Sequence, residues 1–494
     1  MSLLIKGVQV IDGEGKPPYQ ADVLVQKNVI GAIGNFKNKR ADEVIDGLGS
    51  YLMPGFIDID TDSDHYLDIF TNPSQNDFTA QGVTTIIGGH CGSSLAPLLY
   101  GTLEGLDKWA NPSLINVNWH TMGEFLSSLD RIKMGVNFGS LIGHSTVRRA
   151  ITGGNERALT KNEMAVFKEV IRRALSEGAF GLSTGLGYVH GRVARADEIK
   201  ELVGVLKDFD AVYSTHLRSQ TERLLTSIKE TIEVASATGV QTLISHLRPI
   251  RGYEDQYVKS LKLINDNAAT ASIFFDIYPH DTSVYPIYSL LPREAQKRSP
   301  AATLEYINKP ANKKSIEKHL SGLNPNDIWI ASAPRYEFMI GKTVREIAEN
   351  RGKTPAKALF EIMQMTPMEA TVFYRDINYD LMVQALANDR GFVASNGNSS
   401  PPGKFMKHER STDTFPKFLN MATKFNLMPL EQAVKKITSL PAKYFDLDDR
   451  GVIKEGKVAD LVVVTKDDFK VRETIVGGKR NGTVLRHKSN RKKR

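Results

Sequence analysis

The chain has 494 residues, too many for one hydrophobic core, since single cores stop growing near ~250–300 residues, and enough for a large domain with a smaller companion. A composition of 41% hydrophobic and 24% charged residues excludes a disordered or fibrous protein, and a single cysteine, Cys91, excludes an intrachain disulfide. The net charge of +8 does not point to nucleic acid, because Lys479, Arg480, Arg486, Lys488, Arg491, Lys492, Lys493 and Arg494 supply eight positive charges at one end and leave the remainder roughly neutral. No apolar run approaches the ~18 residues of a membrane span, and the opening MSLLIKGVQVIDG lacks the zones of a signal peptide, so a cytoplasmic protein without a membrane partner is expected.

Taken in chain order, LLIKGVQVID, ADVLVQKNVIGAIG and DEVIDGLGSYLMPG are apolar runs punctuated by Gly and Asp, the grammar of hairpins. A second strand-rich piece lies near the other end, where Gly451 to Lys457 leads into Ala459 to Val464. Together they predict a small β-sandwich from both termini, residues 1–54 and 450–487, followed by a basic tail, 488–494. Between them, short β-branched runs alternate with amphipathic helical stretches: GFIDIDTD (55–62), GVTTIIGGH (82–90), NFGSLIGH (137–144), AFGLSTG (179–185), AVYSTHL (211–217), QTLISHL (241–247), SIFFDIYP (272–279) and GFVASNG (391–397). Eight such units predict an α/β fold, a (β/α)8 TIM-like barrel over about 55–449. The interval from Pro279 to Gly391 is too long for one crossover and predicts an insertion near the barrel mouth, at about 285–345.

Barrels of this kind do their chemistry at the carboxyl ends of the strands, which here carry Asp60, Asp62, Cys91, His144, His216, His246 and Asn396. His216 and His246 occupy similar contexts, Ser-Thr-His-Leu-Arg and Ile-Ser-His-Leu-Arg, one βα repeat apart. Thiolate and neutral imidazole are zinc ligands, and a catalytic zinc takes about three protein ligands with one position open, so Cys91, His216 and His246 form a candidate zinc site. Asp60 and Asp62 alternate with apolar neighbours and share one face of their strand. They read as ligands for a second metal, as carboxyls of which one stays protonated, or, with Asp64, as solvated mouth residues.

These residues sit in a series of motifs that resembles the N-acyl-D-amino-acid deacylase (D-aminoacylase) family of the amidohydrolase superfamily along nearly the whole chain. The motifs are Pro54-Gly55-Phe56-Ile57-Asp58, Gln81-Gly82-Val83-Thr84-Thr85, Cys91-Gly92-Ser93-Ser94, Gly181-Leu182-Ser183-Thr184-Gly185, Thr215-His216-Leu217-Arg218, Ser245-His246-Leu247 and Tyr278-Pro279. The resemblance implies zinc-dependent hydrolysis of the amide in a small N-acyl amino acid, with Cys91, His216 and His246 as the tighter zinc site. It also implies that Tyr278 lines the substrate pocket and that Arg410 grips the substrate carboxylate.

Two departures stand out. The family carries His-x-His where this chain has Asp60-Thr61-Asp62, and an aspartate general base where this chain has Asn396. An amide cannot take a proton near neutrality, and losing a general base costs about 10^2–10^4 in rate. Asp60, Asp62 or His90 is the expected stand-in. A weak or inactive binding protein on the same fold, or a cyclic amidase or deaminase, are the alternatives.

Overall fold

The computed structural model describes residues 2–100, 103, 110–188, 191–296 and 299–480. The tail at 488–494 lies outside the described residues.

Both chain ends meet in one eight-stranded sheet. Ser50–Pro54 pairs parallel with Ser2–Val10 on one side and antiparallel with Leu461–Thr465 on the other, in a register that sets Leu52 opposite Val463. Leu3, Ile5, Val8, Val10, Val23, Leu52, Leu461 and Val463 share a core of their own. Neither end could bury that apolar face alone, and the pairing of residues more than 400 positions apart removes it from water.

The middle of the chain forms parallel sheets. Six strands run in the order Gly391–Val393, Ile273–Ile277, Thr242–Ile244, Val212–His216, Gly181–Gly185 and Ile142–Gly143. A further sheet joins Phe56–Asp58, Val83–Gly88 and Asn137–Ser140. Backbone bonds cross between the two on both flanks. Leu141 N donates to Gly88 O (2.9 Å) and Phe180 N to Ser140 O (3.0 Å) at one side, and Asn396 N donates to Asp60 O (2.8 Å) and Asp62 N to Gly397 O (2.7 Å) at the other.

Helices return the chain between strands, as parallel pairing requires. Lys161–Ser176 starts at a reciprocal capping box between Thr160 and Glu163, worth about 1 kcal/mol, and buries Phe167, Ile171, Ala174 and Leu175 against the main core. Leu224–Thr238 stops at Gly239, whose φ of 71° is the left-handed turn that glycine allows. No helix among the described residues is long and apolar enough to cross a membrane.

The long interval before the last parallel strand holds a separate antiparallel sheet, Ser283–Pro286, Thr371–Tyr374 and Ile328–Ser332, with helices Pro300–Asn308, Pro310–Leu320 and Pro355–Met365. Its own core includes Ile287, Ile316, Ile328, Leu359 and Val372. This body continues to Tyr374, past the boundary near 345 expected from sequence, because its middle strand is the last of the three in the chain. Val284, Tyr285 and Tyr288 from its first segment form part of a pocket wall at the strand ends.

Candidate metal centre and substrate pocket

Cys91 leaves the strand Val83–Gly88 through a turn in which Gly89 and Gly92 have φ of 77° and 75°. A Cβ on Gly89 would lie 2.3 Å from Leu141 O, and one on Gly92 would lie 2.6 Å from Gly185 N, so only glycine lets the turn sit this close to its neighbours. Cys91 (φ 55°), His246 (39°) and Asn396 (47°) are themselves left-handed, an uncommon conformation for residues with side chains. All three follow parallel strands where the chain turns towards the same cavity, a place where such strain concentrates.

His216 ends the strand Val212–His216, and His246 follows its neighbour Thr242–Ile244 after one further residue. Cys91 Sγ lies 3.8 Å from His216 Nδ1 and 3.3 Å from His246 Nε2, and the two nitrogens are 3.1 Å apart. Tetrahedral zinc with bonds of ~2.0–2.3 Å needs ligand separations of roughly 3.3–3.6 Å, so the donor set fits in both chemistry and spacing. Burial, with Arg248 and the second imidazole of His216 beside it, holds His246 well below the usual imidazole range and keeps it neutral, the form that ligates. Gln220 Nε2 reaches His246 Nδ1 at 3.0 Å, Asp276 accepts the His246 backbone N–H at 2.8 Å, and Tyr188 packs over the His216 ring at 4.5 Å. These contacts orient both rings.

Asp60 and Asp62 do not join this group, since among the described residues Cys91, His216 and His246 are the set whose donors converge, within 4.8 Å. Neither is a solvated mouth residue, and Asp64 is also buried. Asp62 opens on the pocket, with Oδ1 3.1 Å from His65 Nδ1 and Oδ2 3.2 Å from Asn396 Nδ2 and 3.6 Å from an Arg410 guanidinium nitrogen. Asp60 lies deeper, 3.7 Å from His90 Nδ1. Burial and the charge of Asp62 push its carboxyl up to about 7, and burial does the same to Asp58. His90 is fully buried, is held near 4 by that burial, and is not on the pocket wall, which removes it as a stand-in base.

Arg410 is buried, donates to Asn396 Oδ1 at 3.2 Å, and lies 5.8 Å from the centre of the Tyr278 ring. Tyr278 is fully buried and sits behind the pocket wall rather than on it, supporting Arg410 with its ring and lying 3.5 Å from Arg248 through its hydroxyl. The aromatic wall is made by Tyr66, Tyr188, Tyr285 and Tyr288 instead. His144 stands apart, bonded to Glu198 at 2.9 Å. The cavity measures about 270 Å³, the scale of a small molecule.

Sequence reasoning passed over Gln220, Arg248 and His65. Two weak signals existed: Arg248 stands two residues beyond His246, as Arg218 does beyond His216, and His65 stands one turn beyond Asp62.

Parallel strands that present a Cys–His–His donor set in a small pocket define a protein of the amidohydrolase fold, and the amidohydrolase family model matches residues 383–486. The chain belongs to the D-aminoacylase (N-acyl-D-amino-acid deacylase) family. It is 30% identical over 468 residues to the D-aminoacylase of Alcaligenes xylosoxydans xylosoxydans, covering 93% of this chain and 87% of that one. A solved D-aminoacylase, described by one-metal activation and second-metal attenuation at a binuclear centre, superposes with a TM-score of 0.78 at 26% identity, over 97% of this chain and 96% of that one. The N-acyl-D-glutamate deacylase of Bordetella bronchiseptica, solved with zinc and a phosphonate mimic of the tetrahedral intermediate, gives 0.80 at 25% identity, over 98% and 99%.

Proposed function

We propose that this protein is a zinc-dependent deacylase of N-acyl-D-amino acids in which the proton-transferring carboxylate stands just beyond the first parallel strand, Phe56–Asp58. We read the two parallel sheets as one (β/α)8 barrel, a reading supported by the backbone bonds on both flanks, and the terminal sheet as its β-sandwich companion. The observation that carries the function is the convergence of Cys91, His216 and His246 at one end of a pocket that also holds Arg410 and Asp62.

Cys91, His216 and His246 would hold the metal, which when bound polarises a carbonyl and lowers the pKa of water towards ~7. Arg410 would receive the α-carboxylate of the substrate with its planar pair of donors, backed by Tyr278. Asp62, the carboxylate on the pocket wall, would take the proton from the attacking water and return it to the leaving nitrogen. Asn396 would hold Asp62 and Arg410 in register, donating to the first and accepting from the second. Asp60 is a poorer base, because it is shut away from the cavity.

The test is metal analysis of the purified protein followed by a screen of N-acyl-D- and N-acyl-L-amino acids. Close to one zinc per chain with release of free D-amino acid is the expected result. Bound zinc with no amide hydrolysed would instead favour the binding-protein reading, for which the asparagine at 396 is the motivating observation.

A further inference from the structure

The two oxygens of Asp62 have different partners. Oδ2 accepts from Asn396 Nδ2 at 3.2 Å and lies 3.6 Å from an Arg410 guanidinium nitrogen, on the side of two residues of the pocket wall. Oδ1 meets His65 Nδ1 at 3.1 Å. The His65 ring is 1% exposed, and its far nitrogen, Nε2, lies 3.1 Å from Ser93 O. A backbone carbonyl only accepts, so Nε2 carries a hydrogen. One further hydrogen must then lie between Nδ1 and Oδ1, since two bare lone pairs would repel.

The charges around the ring place that hydrogen. Asp64 is buried beside it and accepts the Gly89 N–H at 2.7 Å, Asp60 and His90 lie deeper, and Arg410 stands beyond Asp62. Against the cost of burial, the charge of Asp64, the bond to Asp62 and the Ser93 carbonyl raise His65 to about 9. The ring is therefore an imidazolium at neutral pH, and both of its N–H groups are committed.

His65 also joins two separate parts of the site. It stands in a turn with Asp62, closed by Tyr66 N donating to Asp62 O at 3.0 Å. Ser93 lies two residues beyond Cys91, in a turn closed by Ser93 N donating to His90 O at 3.0 Å. The ring thus spans from the segment of the carboxylate to the turn that carries the sulfur of the donor set.

We propose that His65 is the positioning residue of the reaction, a doubly donating ring that fixes the Asp62 carboxylate relative to the Cys91 turn and leaves Oδ2 to exchange the proton. This rests on the reading of Asp62 as the base. The need is physical: Asp62 lies past the end of its strand, and an unheld carboxylate would turn about its two side-chain torsions and lose alignment with the attacking water.

The experiment uses the full-length, metal-loaded protein and N-acetyl-D-leucine, with the variants His65→Gln, His65→Asn, Asp62→Asn and the double variant of His65→Gln with Asp62→Asn. An asparagine amide can take the place of Nδ1 and keep a donor towards Asp62, whereas a glutamine amide takes the place of Nε2 and serves Ser93 instead. His65→Gln should lose about ten- to a hundred-fold in kcat with KM and metal content unchanged. The acid limb of its kcat/KM profile should rise by about one pH unit or more, because a cation beside the carboxylate is gone. His65→Asn should recover part of the kcat. On the Asp62→Asn background His65→Gln should cost almost nothing further, whereas a merely structural role would add its loss in full. Nitrogen-15 NMR of the parent at about pH 8, where an ordinary imidazole near ~6.5 is neutral, should still show a doubly protonated ring. That spectrum decides by itself if the variants fail to fold. Parental kcat and acid limb in His65→Gln beside an impaired Asp62→Asn, an additive double variant, or no doubly protonated ring would overturn this inference alone. A parent without turnover, or Asp62→Asn as active as the parent, would remove the base reading and this inference with it.

Discussion

Asn396 donates from its side-chain nitrogen to Asp62 Oδ2 across 3.2 Å, linking the last parallel strand to the first beside the pocket. The carboxylate beside Asn396 is thus supplied from the opposite side of the seam. Asp62→Asn should retain its metal and lose about 10^2–10^4 in kcat, the usual contribution of a general base. Asp60→Asn should cost much less, because Asp60 does not reach the cavity. Steady-state kinetics with metal analysis of both variants decides between them. Equal losses in the two would defeat the assignment.

Asn396→Asp creates two carboxylates at hydrogen-bond distance in a buried setting. They cannot both ionise freely, so one of their pKa values rises by about 1–3 units. The acid limb of the kcat/KM profile should move upward in pH accordingly. Arg410, already 3.2 Å from Asn396 Oδ1, offsets part of the repulsion and keeps the variant folded. A profile with its acid limb unmoved would mean that Asp62 does not control the rate.

Arg410→Lys keeps the charge and loses the fork. If Arg410 holds the α-carboxylate, KM for an N-acyl-D-amino acid should rise roughly ten-fold or more with a smaller change in kcat, the loss of one charge-assisted hydrogen bond. A fall in kcat at constant KM would instead place Arg410 in the service of Asp62, which it also faces.

The parallel strands were legible because a buried strand must be a short β-branched or apolar run, and each of the eight runs coincides with an observed strand, from Phe56–Asp58 to Gly391–Val393. The Cys91, His216 and His246 set was legible for a related reason: residues that end strands of a parallel sheet converge whatever lies between them. Depth was not. Alternation predicts Asp60 and Asp62 on one strand face, but the strand stops at Asp58, and only tertiary placement decides that one is sealed beside His90 and the other opens on the cavity. Gln220 and Arg248 come from loops, whose convergence depends on the whole fold. Thr371–Tyr374 was missed as the middle strand of the insertion because four residues carry too little pattern to tell strand from helix.

The buried carboxyls make stability depend on pH in a direction opposite to the usual carboxylate. Asp58 and Asp60 titrate near 7 in the folded protein, against 3.8 for the unfolded chain. The folded state thus binds more protons between those values, and the stability these groups confer is complete below about 4 and lost as pH rises through 7. Asp60→Asn removes one such group. The difference in unfolding free energy between variant and parent, at equal metal loading, should shift in favour of the variant by a few kcal/mol, on the order of 1.4 per pKa unit, between pH 4 and 8. Denaturant titrations at several pH values measure it, and a difference independent of pH would show that Asp60 is ionised throughout.

Metal removal offers the most direct check on the donor set. A cation bound only by the folded state stabilises it by RT ln(1 + [L]/Kd), which at a thousand-fold excess over Kd is about 4 kcal/mol. Chelation should therefore lower the Tm of the parent protein by several degrees, and zinc should restore it. Cys91→Ser weakens the site by exchanging a thiolate for a neutral hydroxyl, so its Tm should start lower and respond much less to chelator. His90→Gln, one residue away but outside the donor set, should keep its metal and its chelator response, even if replacing a fully buried ring lowers its Tm. A chelator response that survives in Cys91→Ser and disappears in His90→Gln would place the cation among His90 and the first-strand carboxylates instead, and the roles given to Cys91 and His246 would fall with it.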